Sequence, residues 1–374
     1  SGTLLGNVRQ EVKRLNELHE EFLFKSNVRL VKGWGEFKNS NCVVIKNRQN
    51  GEILNELYGE KILIAVGGRP KKPNIQGASL GWTSDEMFLL ESFPRKITIL
   101  GAGYIACEFA CILHGLGVEV TQLVRGERLL RGFDIELSSA LTREMKSKGI
   151  NLRFGENVSS IEGSTGSLIV RTSKDKEINS NGLLFATGRE PYLEGLNLEQ
   201  SGVEIVDKKI KVDNESRTNI PNIFAIGDVT NRINLTPVAI DEGRSFADRN
   251  FGESNRKVNY NLVPYAVFSQ PEIASVGMTE EKATKSIGKN NFKVYKSIFR
   301  PMSKSIPKQE SKCILKLIVD INNNKVLGCH MLGDNASEII QMASISLMLG
   351  ATKSDFDSTM ALHPTVAEEF VTMR

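Results

Sequence analysis

His363 stands directly before a proline, and two glutamates follow close behind in "ALHPTVAEEFVTMR". The residue types allow two chemistries. Pro364 suits the first position of a helix, with Glu368 and Glu369 on its solvated face. Alternatively, a histidine held by a carboxylate is a proton donor, able to protonate a leaving group near neutral pH.

A second constellation lies at Gly101-Ala-Gly103-Tyr-Ile-Ala106, between an apolar strand, Ile97 to Leu100, and a helix running to Leu116. Gly101 permits a tight turn, Gly103 lets a pyrophosphate approach the backbone, and Ala106 lets helix and strand pack closely. The unpaired N–H groups at the helix start receive the anion. After Gly117 a second strand, Val118 to Val124, ends in Arg125, followed by Arg128 and Arg131. A site for NAD would carry Asp or Glu there, on the ribose hydroxyls. Guanidinium forks suit a 2′-phosphate instead, so the nucleotide read from these residues is NADP(H).

These residues need a frame. Residues 8–25 place Val8, Val12, Leu15, Leu18, Phe22 and Leu23 at mostly helical spacing and predict an amphipathic helix. Short strands follow around "VRLVKGWGEF" and "NCVVIKN". Three apolar runs, "KILIAVGG", "GLLFATGREP" and "IPNIFAIGDV", each stop at glycine, the pattern of buried strands that end at a sheet edge where backbone approaches a ligand. A helix is expected within 135–148 and another through 336–349. From about residue 260, "KCILKLIVDINNNKVLGCHMLG" reads as two strands of an antiparallel sheet joined by an Asn-rich turn.

The bulk numbers set limits. A chain of 374 residues holds two or three domains. With 40% hydrophobic and 25% charged residues and a net charge of +4 spread along the chain, neither nucleic acid nor a membrane surface is an expected partner. Five scattered cysteines argue for a reducing, cytoplasmic compartment rather than a disulfide framework. Cys107 and Cys111, one helical turn apart, read as packing residues, because that geometry does not easily bridge cysteines. No metal site is expected.

Taken together, "ILIAVGGRP", "GAGYIACEF", "RLLRGFD", "FATGREP", "NIFAIGDV", "LTPVAIDEGR" and "HPTVAEEFVTMR" resemble, in order, the pyridine nucleotide–disulfide oxidoreductases, and among them most closely the glutathione reductases. The resemblance implies an α/β fold of Rossmann-like, three-layer ββα domains for FAD and NAD(P), followed by an α+β dimerisation domain with an antiparallel sheet. Four segments are expected: 1–66 and 192–259 for FAD, 67–191 for NADPH, and 260–374 for dimerisation. It implies that NADPH reduces FAD, FAD an internal disulfide, and the dithiol glutathione disulfide. Asp228 would hold the ribityl chain, Thr236 would meet the flavin ring and Gly35 would approach the adenine. Tyr104 would be the lid over the nicotinamide, with Ile105 beside it. Arg125, Arg131 and Gly188 would line the 2′-phosphate site, and Glu108 would pair with a family lysine. Arg244 would hold a glutathione carboxylate. His363 and Glu368 would be the acid–base dyad, contributed to the other subunit of a homodimer.

The chain departs from the family in three places. Its first flavin-binding motif, the Cys-x4-Cys redox pair and the lysine are not among these residues. The opening, without an initiator Met, reads as a segment cut from something longer, in which a targeting peptide is neither seen nor excluded. Such a remnant is expected to expose unpaired sheet edge and apolar surface and to be inactive alone. His19 stands where the family has a tyrosine facing glutathione, and its smaller ring would meet the substrate's carboxylates differently. Tyr192 replaces an asparagine, with little expected consequence. Two alternatives stay open: a relative such as dihydrolipoamide dehydrogenase, which would need an acidic residue near Arg125, and a non-catalytic chain that binds NADPH and dimerises.

Overall fold

The apolar run Lys96–Leu100 is a central strand of a four-stranded parallel sheet in the computed structural model, which describes residues 2–374. The order is Gly182–Phe185, Lys96–Leu100, Glu119–Val124, Asn151–Phe154. Helix Tyr104–Gly115 is the crossover between the two middle strands, and Ala106, Cys107, Ala110, Cys111 and Leu113 line its buried face. Those positions recur at helical spacing, and the small ones let helix and sheet approach closely. Gly117, with φ +86°, then turns the chain into the next strand. Asp134 caps helix Ile135–Ser147 by accepting the Glu136 N–H at 3.0 Å.

A three-stranded antiparallel meander, Val158–Ser164, Ser167–Thr172 and Glu177–Ser180, covers the sheet's other face. Leu100, Leu123, Leu183 and Phe185 meet Val158, Ile161, Leu168 and Val170 in that layer. The helix, parallel-sheet and meander layers give the three-layer ββα arrangement. C-terminal to it lies a five-stranded antiparallel sheet ordered Tyr265–Val267, Ile273–Gly277, Val326–Leu332, Cys313–Asp320, Phe292–Phe299. The Asn-rich turn joins Cys313–Asp320 to Val326–Leu332, and helix Ala336–Met348 packs on the sheet around Val276, Leu317, Cys329, Met331 and Ile340.

Both sheets belong to one compact unit, Lys72–Met87, Phe93–Thr187 and Asn259–Arg374. The other unit runs through Lys71 and adds Phe88–Ser92 and Gly188–Val258. It holds an antiparallel sheet (Trp34–Asn39, Cys42–Lys46, Ile53–Tyr58), a parallel pair (Ile62–Ile64 with Ile223–Ala225) and helix Thr236–Phe251. Phe37, Ile64, Leu196, Ile223 and Ala225 form its core.

Three details differ from the sequence reading. The glycine-ended runs share no single sheet edge: two pair with each other in one unit, and Gly182–Phe185 joins the nucleotide sheet in the other. The long helix forms over Gly2–Lys25, yet only Leu5 on it is buried, while Val12, Leu15, Phe22 and Phe24 stay exposed. Spacing determines the conformation of a stripe, not what covers it. Pro364 starts no helix: it follows a cis peptide bond, and the terminal helix begins only at Glu369.

Candidate functional site

In the larger unit, the glycine turn is built by two different constraints. Gly101 has φ +151°, and a Cβ there would lie 2.2 Å from the Ala186 carbonyl oxygen, so neighbouring backbone excludes any side chain. Gly103 is different: its backbone is extended (φ −83°), it is exposed, and nothing lies within 4 Å of the Cβ position. No contact within the chain demands a glycine there. A ligand lying against the first N–H groups of helix Tyr104–Gly115 would, and the open turn has room for a pyrophosphate. Ala106 is fully buried against the sheet, Ile105 is half-buried, and Tyr104 is 42% exposed at the helix start, where a lid over a bound ring would sit.

Two supports of this turn were not read from the sequence. Buried Gln122 donates from Nε2 to the Gly101 carbonyl at 3.0 Å, and the Leu130 N–H donates to Ala102 O at 2.7 Å. The signal for the first was an amide within the apolar strand "VTQLV". The second is backbone and has no signal.

Arg125 and Arg131 are both exposed on the loop after strand Glu119–Val124. The Arg131 guanidinium folds back over Gly126, where a Cβ would meet its Nη2 at 2.7 Å, which brings it beside the residue following Arg125. Arg128 lies 4.0 Å from Glu281. On the Tyr104–Gly115 helix, Glu108 accepts the Phe268 N–H at 2.9 Å. Burial pushes its carboxyl above the usual range, with that hydrogen bond opposing.

At the C-terminus of the same unit, His363 Nδ1 stands 3.1 Å from Glu368 Oε1. The imidazole side chain is 77% exposed and the carboxylate 16%. With Nδ1–H donating to the carboxylate, Nε2 is left to meet a substrate. His330, by contrast, is fully buried, and His114 is bound to the Lys148 carbonyl at 2.7 Å.

The cysteines offer no redox centre. All five are free and buried. Burial pushes the Cys107 and Cys313 thiols up to about 12 and raises Cys111 and Cys329, so these four are not thiolates near neutral pH.

In the smaller unit, Asp228 is half-buried just past strand Ile223–Ala225, in a short 3-10 turn, with Arg189 Nε 3.8 Å from its Oδ2. Gly68 is packed so close that a Cβ would lie 3.3 Å from the Asp228 Cβ. The Gly227 N–H donates to buried Glu242 at 2.6 Å, fixing the turn. Thr236 is exposed at the start of a 16-residue helix, followed by Pro237, while the Val238 and Ala239 N–H groups donate to the Leu235 carbonyl at 3.0 and 3.1 Å. A half-buried carboxylate fits the hydroxyls of a polyol chain, and exposed Thr236 at the helix start offers a polar group to the edge of a flavin. Gly35 pairs with Ile45 in the antiparallel sheet, and Gly188 takes φ +121° in open space. Arg244 is exposed on the Thr236–Phe251 helix and His19 on the long N-terminal helix, where its ring meets the Phe22 edge at 6.4 Å. The proposed site residues therefore divide between the units: six here, ten in the other.

Among the described residues no helix is long and apolar enough to cross a membrane, and no group of three or more His, Cys, Asp or Glu is placed to hold a metal ion. Residues 3–243 match the family model of the pyridine nucleotide-disulphide oxidoreductases, and residues 263–374 match that family's dimerisation domain. The glutathione reductase of Nostoc sp. is 43% identical over 98% of this chain and 82% of its own length. That of Burkholderia cepacia is 43% identical over 97% and 79%, and the chloroplastic/mitochondrial glutathione reductase of Pisum sativum 41% over 100% and 66%. With its glycine turn, its antiparallel C-terminal sheet and these matches across both, the chain belongs to the pyridine nucleotide-disulphide oxidoreductases.

Proposed function

We propose that this chain serves the NADPH-dependent reduction of glutathione disulfide, with FAD as the second cofactor. One observation carries the reading: the Arg131 guanidinium folds back over Gly126, the residue next to exposed Arg125, at the end of the strand that follows the glycine turn. That spot suits the 2′-phosphate that distinguishes NADPH from NADH. Gly101, Gly103 and Ala106 would receive the pyrophosphate, with Tyr104 and Ile105 at the nicotinamide and Gly188 lining the phosphate site. Asp228, Thr236 and Gly35 would hold FAD, with Glu108 beside it. Arg244 and His19 would meet glutathione. A reducing, cytoplasmic compartment fits five unpaired cysteines.

Bound NADPH and FAD supply the two-electron chemistry. The chain's own part is orientation and protons. Reducing a disulfide takes two electrons and two protons and gives two thiols, and the sulfur that leaves does so as a thiolate. His363, oriented through Nδ1 by Glu368, protonates that sulfur from Nε2. The family's dimerisation domain carries this dyad, which would serve the site of the partner subunit in a homodimer.

A second reading has its own observation. The cysteines of this chain are buried, and none forms the dithiol that must pass electrons to glutathione. A chain that only binds NADPH and dimerises would look the same in these residues. Colour and turnover of the intact protein separate the two. Yellow protein that bleaches with NADPH and recovers with glutathione disulfide supports the reductase. Colourless protein that still binds NADPH supports the second reading, and equal use of NADH and NADPH sinks the nucleotide assignment.

A further inference from the structure

Three arginines within seven residues repel one another, and a loop that carries them has no intrinsic reason to keep one shape. Ties on both sides hold this one. Toward the glycine turn, the Leu130 N–H donates to Ala102 O, and Ser138 Oγ donates to Leu129 O, both at 2.7 Å. Gly126 O accepts the Gly155 N–H at 3.1 Å, and further ties come from the C-terminal sheet and the helix Glu280–Ile287. Tyr265 Oη donates to Gly132 O at 3.2 Å, and the Tyr265 ring meets Phe133 edge-on with centroids 4.7 Å apart. Lys316 Nζ lies 2.9 Å from Asp134, the cap that ends the loop, and both side chains are 1% exposed. Glu281 Oε1 accepts the Ile135 N–H at 3.1 Å and lies 4.0 Å from Arg128 Nη1, a buried nitrogen with no hydrogen-bond partner.

We propose that Glu281, backed by Tyr265 and Lys316, is a positioning residue for nucleotide selection: the dimerisation domain shapes the loop that presents Arg125 and Arg131 to the 2′-phosphate. The inference rests on the NADPH reading given above. Glu281 neutralises Arg128, the one arginine of the three drawn into the fold, and pins the first turn of helix Ile135–Ser147 through the Ile135 N–H. With Arg128 held, its charge no longer helps to spread the loop, and the Arg131 guanidinium keeps its place over Gly126, next to exposed Arg125. Loop order thus depends on residues about 150 positions away in the chain. Arg128 is a strut here, not a third phosphate ligand.

Calorimetric titration of the intact protein with adenosine 2′,5′-bisphosphate and with AMP tests this without requiring turnover. Wild type should prefer the bisphosphate. Glu281→Gln, nearly isosteric and partly exposed, should weaken bisphosphate binding about three- to tenfold and leave AMP unchanged. Glu281→Asp should recover part of the loss, and Tyr265→Phe should show a smaller loss in the same direction. Unchanged bisphosphate affinity in Glu281→Gln overturns the proposal. So does an equal loss for both ligands, which would be general damage. Tighter bisphosphate binding overturns it too, since a freed Arg128 would then be a phosphate ligand. Wild type that does not distinguish the two ligands fails the NADPH reading itself, a separate outcome visible before any variant is made.

Discussion

A histidine donating from Nδ1 to a carboxylate can exchange a proton only at Nε2, and at His363 the ring is largely open to solvent. Its effect should therefore be confined to the step that needs a proton. In stopped-flow measurements on the intact enzyme, His363→Ala should leave NADPH-driven bleaching of the flavin unchanged and slow glutathione disulfide turnover about 10²- to 10⁴-fold. Unaltered turnover would retire the dyad. The arginines act earlier. Replacing Arg125 and Arg131 by Gln should cost about 1–3 kcal/mol per lost charged contact for NADPH and nearly nothing for NADH, read from KM for each nucleotide. Equal losses with both would mean that the guanidinium groups serve something other than the 2′-phosphate.

Between strand and helix, the two glycines of one turn make opposite demands, and substitution should separate them. Gly101→Ala forces a Cβ to 2.2 Å from backbone oxygen at a positive φ and should destabilise the protein by about 2 kcal/mol or more. Gly103→Ala meets open space in extended backbone, so stability should stay within about 1 kcal/mol while nucleotide affinity falls. Urea unfolding and NADPH titration of both variants check this; a Gly103→Ala protein with unaltered affinity would mean no ligand approaches that face. The Lys316–Asp134 pair makes a similar demand on the loop's far end. Burial alone would raise the Asp134 carboxyl, yet Lys316 hydrogen-bonds it and holds it below the usual carboxylate range. Lys316→Met leaves that carboxylate buried without its cation, with an expected loss of about 3–5 kcal/mol. Adding Asp134→Asn, which keeps a capping side chain, should recover part of it.

For the whole molecule, acid is the revealing stress. Burial holds the His330 imidazole below its ordinary 6.5, and Nε2 lies 2.8 Å from the Met278 carbonyl oxygen. Once unfolded, the ring protonates near 6.5. Between its native pKa and that value the unfolded chain therefore binds more protons, so stability falls as pH falls through this window. His330→Gln should flatten the fall, measured as the difference from wild type in urea midpoint between about pH 5 and 7. Identical slopes would mean another group carries it. Asp134 acts lower, its contribution present above about pH 3.9 and lost as pH falls through its depressed native value. Glu108 has the opposite sign: its raised native pKa favours the fold on acidification, so the comparison must be with the variant rather than with neutral pH.

The sequence by itself determined what local patterns encode. The glycine turn with its strand and helix, the Asn-rich hairpin and the His–Glu approach all depend on neighbours within a few residues, and each formed. Tertiary structure decided what depends on distant approach. Only the fold shows that Ala186 makes Gly101 obligatory whereas nothing in the chain does so for Gly103. Only the fold separates the three glycine-ended strands into two sheets, leaves the N-terminal stripe uncovered and keeps Pro364 out of a helix. Arg128 makes the distinction plain. As letters, it equals Arg125 and Arg131; beside Glu281 it becomes a strut, because Coulomb attraction follows distance in space and not position in the chain.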